Sequence, residues 1–200
     1  MKLHVNGVAD RNFPPNYATR QEYTVVAKPG ESQKGQFIDK WAILGPFPSA
    51  RDKTLKEFAS IINPVKLNAF STVRPEAEWR TVESQIVDFG RLFGEISDQM
   101  AIAVTYVYSE KSRKARLRLD TNDHNRAWLN GKLINDGITG TTSMRGFHDF
   151  ADEIDIKLKA GWNHCVVLVD NHLTAWLMSG QIVDENGVAI RDLTWQIRAP

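Results

Sequence analysis

The sequence predicts an all-β protein, an antiparallel two-sheet β-sandwich with one short helix. Asn-Gly pairs occur at residues 6–7, 130–131 and 186–187, each flanked by apolar residues. This dipeptide suits the positive φ angles of a two-residue hairpin turn. Tryptophan, valine and isoleucine, which strands favour, are concentrated between these points. No repeat, low-complexity tract or linker interrupts residues 36–200, which favours a single two-layer domain.

Hydrophobic patterning predicts the individual strands. Residues 100–108 are apolar on both faces, which is typical of a central strand, whereas residues 116–120 and 154–158 alternate between apolar and charged side chains. Residues 164–169 form a second run that is typical of a buried strand. The first core strand is predicted at residues 37–44, ended by Gly45-Pro46-Phe47-Pro48. Shorter strands are predicted at residues 22–27, 127–129, 176–183 and 188–197.

One helix is predicted near residues 50–62, ended by Asn63-Pro64 because the residue before a proline is biased away from the helical region. Four apolar residues in this segment repeat at the i, i+3, i+4 and i+7 positions of one helix face, namely Leu55, Phe58, Ala59 and Ile62. Residues 1–35 show no comparable pattern and contain consecutive prolines. We therefore predict an N-terminal arm or extra hairpin packed on the body, and a sandwich domain at residues 36–200.

Composition excludes several classes of protein. The 200 residues carry 25 basic and 24 acidic side chains, and this balance argues against nucleic acid as the main partner. No apolar run approaches the roughly 20 residues of a membrane-spanning helix. The single cysteine, Cys165, excludes an internal disulfide and a multi-thiolate zinc site. Residues 1–7 have no apolar signal core, so no secretion signal is expected in this sequence.

Four sequence fragments, taken in order, carry a family resemblance. They are WAILGPFP at residues 41–48, DTND followed by AWLNGK within residues 120–132, LKAGWN at residues 158–163, and Trp176 followed by IVDENG at residues 182–187. In this order they resemble the galactose-binding-domain-like jelly rolls that are appended to bacterial glycoside hydrolases and other polysaccharide-degrading enzymes. The resemblance covers roughly residues 36–198 and implies a jelly-roll sandwich. It also implies that the signature tryptophans, Trp128 and Trp162 among them, serve mainly in packing.

The resemblance implies a non-catalytic carbohydrate-binding accessory module that tethers an attached or partner enzyme to polysaccharide, in an extracellular or periplasmic location. A structural module that braces a neighbouring catalytic domain without a ligand is the alternative. A jelly roll hosts many functions, so a polysaccharide lyase or hydrolase is a third reading. The sequence contains no hydrolase, zinc-protease or phosphate-loop motif. A lyase would need proton abstraction, for which Tyr106, Arg145 and His148 supply suitable groups.

Three polar segments are the candidate sugar-binding loops. Residues 122–126 are dense in donors and acceptors, residues 139–149 form a long glycine-punctuated loop, and residues 171–176 end in a tryptophan. The simpler readings are a polar turn, a flexible surface loop and a packed tryptophan, respectively. The predicted ligand-binding residues are Asp123, His124, Arg126, Arg145, Phe147, His148 and Trp176.

Charged residues suggest two further features. A basic stripe for an acidic polysaccharide could form from Lys111, Arg113, Lys114, Arg116 and Arg118, although a solvated strand face balanced by nearby acids is the favoured interpretation. The family resemblance also allows a structural calcium ion. Oxygens for it would come from Asp149, Asp152, Glu153 and Asp155, but residues 120–123 do not begin an EF-hand loop. No cofactor is therefore predicted.

Overall fold

The structure is a computed structural model that describes residues 2–5, 21–24, 37–49, 67, 78–94, 97–137, 152–172 and 175–200. The chain divides into two compact units, Met1–Lys34 and Gly35–Pro200. In the first unit, strand β1 (Lys2–Val5) pairs antiparallel with strand β2 (Gln21–Thr24). The strand predicted at residues 22–27 overlaps β2. The packing of residues 1–35 on the body stays a prediction.

The second unit contains the predicted β-sandwich. Its strands are β3 (Lys40–Pro48), β4 (Glu78–Glu83), β5 (Ile86–Asp88), β6 (Gln99–Ser109), β7 (Arg113–Thr121), β8 (Asn125–Leu129), β9 (Lys132–Asp136), β10 (Asp152–Leu158), β11 (Gly161–Asn171), β12 (Leu177–Val183) and β13 (Leu193–Gln196). Within the described ranges, one sheet has four strands in the order β10-β7-β12-β5. The other has seven, in the order β4-β3-β6-β11-β8-β9, with β13 also paired to β6. Neighbouring strands are antiparallel, and the two sheets do not close into a barrel, which confirms the predicted fold class.

The core lies between the two sheets and is built from alternate residues of the facing strands. Ala101, Ala103 and Val107 of β6 point into it and belong to the same buried cluster as Leu117 and Leu119 of β7. Since successive side chains of a strand point to opposite faces, the even-numbered residues of β6 lie on the outer face of the seven-stranded sheet. That outer face is also apolar, so β6 is buried on both sides, as its sequence predicts.

The outer face of the seven-stranded sheet carries a second buried apolar cluster. Ile102 and Val104 of β6 lie there beside Val166 and Leu168 of β11, each at most 1% exposed. Trp128 of β8 joins this cluster and is 4% exposed. The packing role that the resemblance implies for Trp128 is therefore confirmed.

The two Asn-Gly pairs within the described residues form different turns. Asn130 and Gly131 both have positive φ angles, 51° and 83°, and join β8 to β9 as predicted. At the second pair only Gly187 has a positive φ, 81°. Its N–H donates to the Asp184 carbonyl at 3.0 Å, while the Asp184 carboxylate accepts from the backbone N–H of Asn186 at 2.9 Å. The two-residue hairpin turn predicted there is wrong, because the Asp184 side chain stabilises a longer turn.

Two elements differ from the sequence prediction. Strand β3 does not end at Leu44 but continues to Pro48, because a register shift between Leu44 and Phe47 lets the strand resume pairing with β6. A five-residue helix that was not predicted from the sequence, α1 (Phe89–Phe93), lies between β5 and β6; the Asp88 side chain caps it by accepting from the Arg91 N–H at 2.8 Å. The helix predicted near residues 50–62 lies outside the described residues. None of the helices that the described ranges contain is long and apolar enough to cross a membrane.

Candidate functional site

The described parts of two predicted binding segments, and the strand ends that flank the third, lie at one end of the sandwich, which we call the β7–β8 end. Residues 122–124 connect β7 to β8 there, and β11 ends beside them because Asn125 lies opposite Val169. Strand β12 begins at the same end, where Met178 lies opposite Thr121. The strand ends that flank residues 138–151 lie there too, since β9 ends and β10 begins at this end. Residues 122–126 and the described parts of residues 171–176 therefore share this end, while residues 139–149 lie outside the described residues.

At the β7–β8 end, however, the predicted polar residues face into the fold. Asp123 is 1% exposed, and its carboxylate accepts from the His172 backbone N–H at 2.6 Å. Arg126 is 3% exposed and donates from Nε to the Asp136 carboxylate at 2.6 Å. His124 is 2% exposed. Asp123 and Arg126 hold neighbouring segments together, which is the simpler reading of a polar turn, and the burial of all three side chains leaves them little surface for a ligand.

A buried hydrogen-bond network stabilises the same end. The Asn125 side chain donates to Thr121 Oγ1 at 3.1 Å and to the Asp152 carboxylate at 2.7 Å, and it accepts from Asn135 Nδ2 at 2.8 Å. Asn125 and Thr121 are both fully buried. A satisfied buried network of this kind rigidifies its surroundings. The described residues of the β7–β8 end therefore have a structural role, and ligand binding by residues 139–149 stays a prediction.

Trp176 is a core residue and is not half exposed. Its side chain is 1% exposed, and its ring stacks on Phe89 at a centroid distance of 5.0 Å and an interplanar angle of 28°. Phe93 packs on it at 5.8 Å. Both phenylalanines belong to the short helix α1. This helix, which the sequence did not predict, therefore covers Trp176. Three other predicted ligand-binding residues, Arg145, Phe147 and His148, lie outside the described residues.

The basic stripe on the four-stranded sheet is balanced by carboxylates, as the favoured interpretation predicts. Arg113 binds Asp192 with two hydrogen bonds, at 2.7 and 2.6 Å, and this pairing lowers the pKa of Asp192 and raises the pKa of Arg113. The other ion pairs are Lys114–Glu185 at 3.6 Å, Arg116–Glu153 at 3.4 Å, Arg116–Asp155 at 3.5 Å and Arg118–Glu153 at 2.8 Å.

The described residues that were considered as calcium ligands have other partners. The Asp152 carboxylate accepts from Asn125, and Glu153 and Asp155 pair with arginines of β7. Asp149 lies outside the described residues. In the part of the chain that the structure describes, no group of three or more histidine, cysteine, aspartate or glutamate side chains could hold a metal ion.

A set of aromatic side chains forms a surface that the sequence did not reveal. Tyr106 and Tyr108 of β6 lie directly opposite His164 and Trp162 of β11, so all four share the outer face of the seven-stranded sheet. Tyr108 and Trp162 meet with ring centroids 5.2 Å apart and planes at 60°, and Tyr106 stacks on His164 at 4.9 Å and 16°. We call these four residues the aromatic platform.

The aromatic platform is partly open to solvent. Tyr108 is 37% exposed, Trp162 and His164 are half-buried, and Tyr106 is 6% exposed and belongs to the second apolar cluster. Burial raises the pKa of Tyr106 and lowers the pKa of His164. Trp162 was expected to be a core residue; it packs against the second cluster, but it also contributes to this surface.

Polar groups border the aromatic platform. Strand β13 pairs with β6 so that Thr194 lies opposite Tyr108 and Gln196 lies opposite Tyr106, which places both polar side chains on the platform's face of the sheet. Thr194 is exposed and Gln196 is half-buried. Asn130 lies near the other side, where its side-chain oxygen accepts from the His164 backbone N–H at 3.1 Å. Exposed aromatic rings with hydroxyl and amide groups beside them can bind a ligand that has both C–H faces and hydroxyls.

Comparisons with known proteins give no family for this chain. No family model matches it, and no curated protein matches it. Among solved structures, a β-glucosidase from Kluyveromyces marxianus has a TM-score of 0.43 and 14% identity over 80% of this chain and 19% of that one. The same enzyme in complex with glucose gives 0.43 and 14% over 84% and 18%.

An anti-sigma factor domain-containing protein from Clostridium clariflavum has a TM-score of 0.37 and 14% identity over 89% of this chain and 51% of that one. This chain therefore spans about a fifth of the β-glucosidase and about half of the anti-sigma factor domain-containing protein. At TM-scores this low, these likenesses do not bear on the function of the chain.

Proposed function

We propose that this chain is a non-catalytic carbohydrate-binding accessory module that tethers an attached or partner enzyme to polysaccharide. The observation that carries the proposal is the aromatic platform, in which Tyr108 and Trp162 expose ring surface on a sheet face. An aromatic face stacks on the C–H face of a pyranose, and neighbouring polar groups then bind its hydroxyls. Thr194 lies where it can make such a hydrogen bond, and Gln196 offers its side-chain oxygen, because its Nε2 already donates to the Arg198 carbonyl at 2.9 Å.

Tethering would act through effective concentration. A module that holds its enzyme on the polysaccharide makes the next encounter with substrate intramolecular, so the gain needs no catalytic group of its own. The lyase alternative required Tyr106 as a proton acceptor together with Arg145 and His148. Burial raises the pKa of Tyr106, which makes its hydroxyl a poorer source of the required phenolate. The one lyase candidate within the described residues is therefore poorly suited to that role.

The bracing alternative requires a contiguous apolar surface for a neighbouring domain. Within the described ranges, the exposed large hydrophobic side chains are Ile86, Tyr108 and Val188. Ile86 lies in β5 of the four-stranded sheet, Tyr108 lies in β6 of the seven-stranded sheet, and Val188 follows β12. These three side chains lie in different parts of the sandwich, whereas a bracing surface would need them together. Their distribution therefore favours ligand binding at the aromatic platform over bracing of a neighbouring domain.

Affinity gel electrophoresis through a panel of polysaccharides tests the proposal. Wild-type protein should be retarded by at least one of them, and Tyr108→Ala or Trp162→Ala should lose most of that retardation. Ile86→Ala removes a similarly exposed apolar side chain from the other sheet and should behave as wild type. Thermal unfolding of each variant separates lost binding from lost folding. If no polysaccharide retards the wild type, or if folded platform variants bind normally, the proposed function is wrong.

A further inference from the structure

Building on the proposed function, we infer that the aromatic platform binds a single uncharged polysaccharide chain through at least two consecutive sugars. It does not suit an acidic polysaccharide or a flat crystalline surface. Two independent observations support this substrate class: the distribution of charge over the two sheets, and the angle between the two most exposed rings of the platform.

Charge argues for an uncharged ligand. The platform consists of two tyrosines, a tryptophan and a histidine, and the side chains that β13 places beside it, Thr194 and Gln196, carry no charge. Burial lowers the pKa of His164, which favours the uncharged form of its ring. The basic residues of β7 lie in the other sheet, where carboxylates already pair with them. The four platform residues therefore offer an acidic polysaccharide no cation, and among the described residues it would have to displace carboxylates to reach the β7 arginines.

Ring geometry argues for more than one sugar. Tyr108 and Trp162 lie 5.2 Å apart with their planes at 60°, so a single pyranose can lie flat on only one of the two rings. Contact with both rings needs a second sugar turned relative to the first. A chain free in solution can adopt that rotation at its glycosidic bond, whereas the surface of a crystalline polysaccharide presents coplanar sugars and requires coplanar rings.

The platform extends along the strands as well as across them. Its two cross-strand pairs are separated by two residues along β6, which is about 6.8 Å at roughly 3.4 Å per residue. Tyr106 and His164 stack at 16° and form the less exposed end of the platform, while Tyr108 and Trp162 form the open end. A ligand that contacts both exposed rings would thus cross from Trp162 of β11 to Tyr108 of β6 at the open end, beside Thr194 of β13.

The experiment compares four kinds of probe: soluble neutral chains (hydroxyethylcellulose, xylan, glucomannan, galactan), soluble acidic chains (polygalacturonate, alginate), insoluble crystalline cellulose and chitin, and the corresponding free monosaccharides. Affinity electrophoresis measures binding to the soluble polymers, and co-sedimentation measures binding to the insoluble ones. Calorimetry measures binding to the free sugars. We expect binding to at least one soluble neutral chain, at least tenfold weaker binding by folded Trp162→Ala, and no binding to the acidic or crystalline polymers. The matching monosaccharide should bind at least tenfold more weakly than its oligosaccharide.

The outcomes separate this inference from the proposed function. Binding only to crystalline polymers, or equal affinity for a monosaccharide and its oligosaccharide, would refute the two-sugar inference and leave carbohydrate binding intact. If only acidic chains bind, and if Arg116→Ala abolishes this binding while Trp162→Ala keeps it, the binding site is the basic stripe and the inference about the aromatic platform is wrong. If none of the probes binds, the proposed function itself fails.

Discussion

Asn163 lies at the end of the sandwich opposite the β7–β8 end. We expect its side chain to contribute more than any other there to the free energy of unfolding. It is fully buried at the start of β11, and its Nδ2 donates to the carbonyls of Lys159 at 3.0 Å, Gly161 at 3.1 Å and Val107 at 3.3 Å. Its Oδ1 accepts from the Lys159 N–H and from Asn130 Nδ2, both at 2.9 Å. One amide therefore joins the β10–β11 turn, strand β6 and the β8–β9 turn.

Asn163→Ala would remove all five of these contacts. Nδ2 has two N–H groups, so two of its three carbonyl contacts share one hydrogen, and the amide makes four hydrogen bonds. At a net contribution of about 1 kcal/mol per bond the upper limit is about 4 kcal/mol. Lys159 and Asn130 are exposed residues, and water can replace part of what they lose. We therefore expect the free energy of unfolding to fall by about 3 kcal/mol. For a unit of this size that corresponds to a Tm lower by about 6–12 °C.

Urea unfolding followed by far-ultraviolet circular dichroism measures this change, with a thermal scan as a second readout. Asn186→Ala is the matched control, because Asn186 is an exposed asparagine in a turn, and its loss should change the free energy of unfolding by less than about 0.5 kcal/mol. If Asn163→Ala unfolds within about 1 kcal/mol of wild type, the hydrogen-bond argument is refuted.

Three further predictions concern groups within or beside the cores. Thr105 is fully buried and its hydroxyl has no hydrogen-bond partner in the part of the chain that the structure describes, so Thr105→Val should raise the free energy of unfolding by about 1 kcal/mol; a lower urea midpoint would contradict this. Burial raises the pKa of Cys165 to about 12, so a thiol reagent at pH 8 should label it only after denaturation, and rapid labelling of the native protein would count against the structure. Burial lowers the pKa of His164, so the unfolded state takes up this proton more readily and stability is lost as pH falls below about 6.5. His164→Gln should reduce the fall in Tm between pH 7 and pH 5, and an unchanged slope would remove His164 as its source.

Local patterning accounts for how much of the fold could be predicted. Residues 100–108 form most of β6, and residues 154–158 lie within β10, because alternation along a strand is visible in the sequence. Helix α1 was missed because five residues complete little more than one turn and leave no periodic signal. The continuation of β3 was missed because proline and glycine normally end a strand, whereas here the register shifts across them and pairing resumes.

The candidate site was harder to predict because it depends on register. Tyr108 and Trp162 are far apart in the sequence, and only the pairing of β6 with β11 makes them neighbours. One signal was available: Trp162 and His164 are two residues apart and therefore share a face of their strand, as Tyr106 and Tyr108 do on theirs. Conversely, Asp123 and Arg126 have the chemistry of a binding loop, but the sequence could not show that their partners are His172 and Asp136 of the same fold.

The hydrogen bonds of the Asn130 side chain also affect how fast this residue deamidates during storage. Deamidation of an Asn-Gly pair begins when the asparagine side chain rotates so that the backbone nitrogen of the following glycine can attack its carbonyl carbon. The Asn130 side chain donates to Asn163 Oδ1 and accepts from the His164 N–H. Its rotation would therefore break two hydrogen bonds. Asn186 is exposed in its turn. Of these two pairs, Asn186-Gly187 should therefore be the first to show the one-dalton mass gain, and Asn130-Gly131 should follow only after the network around Asn163 is lost.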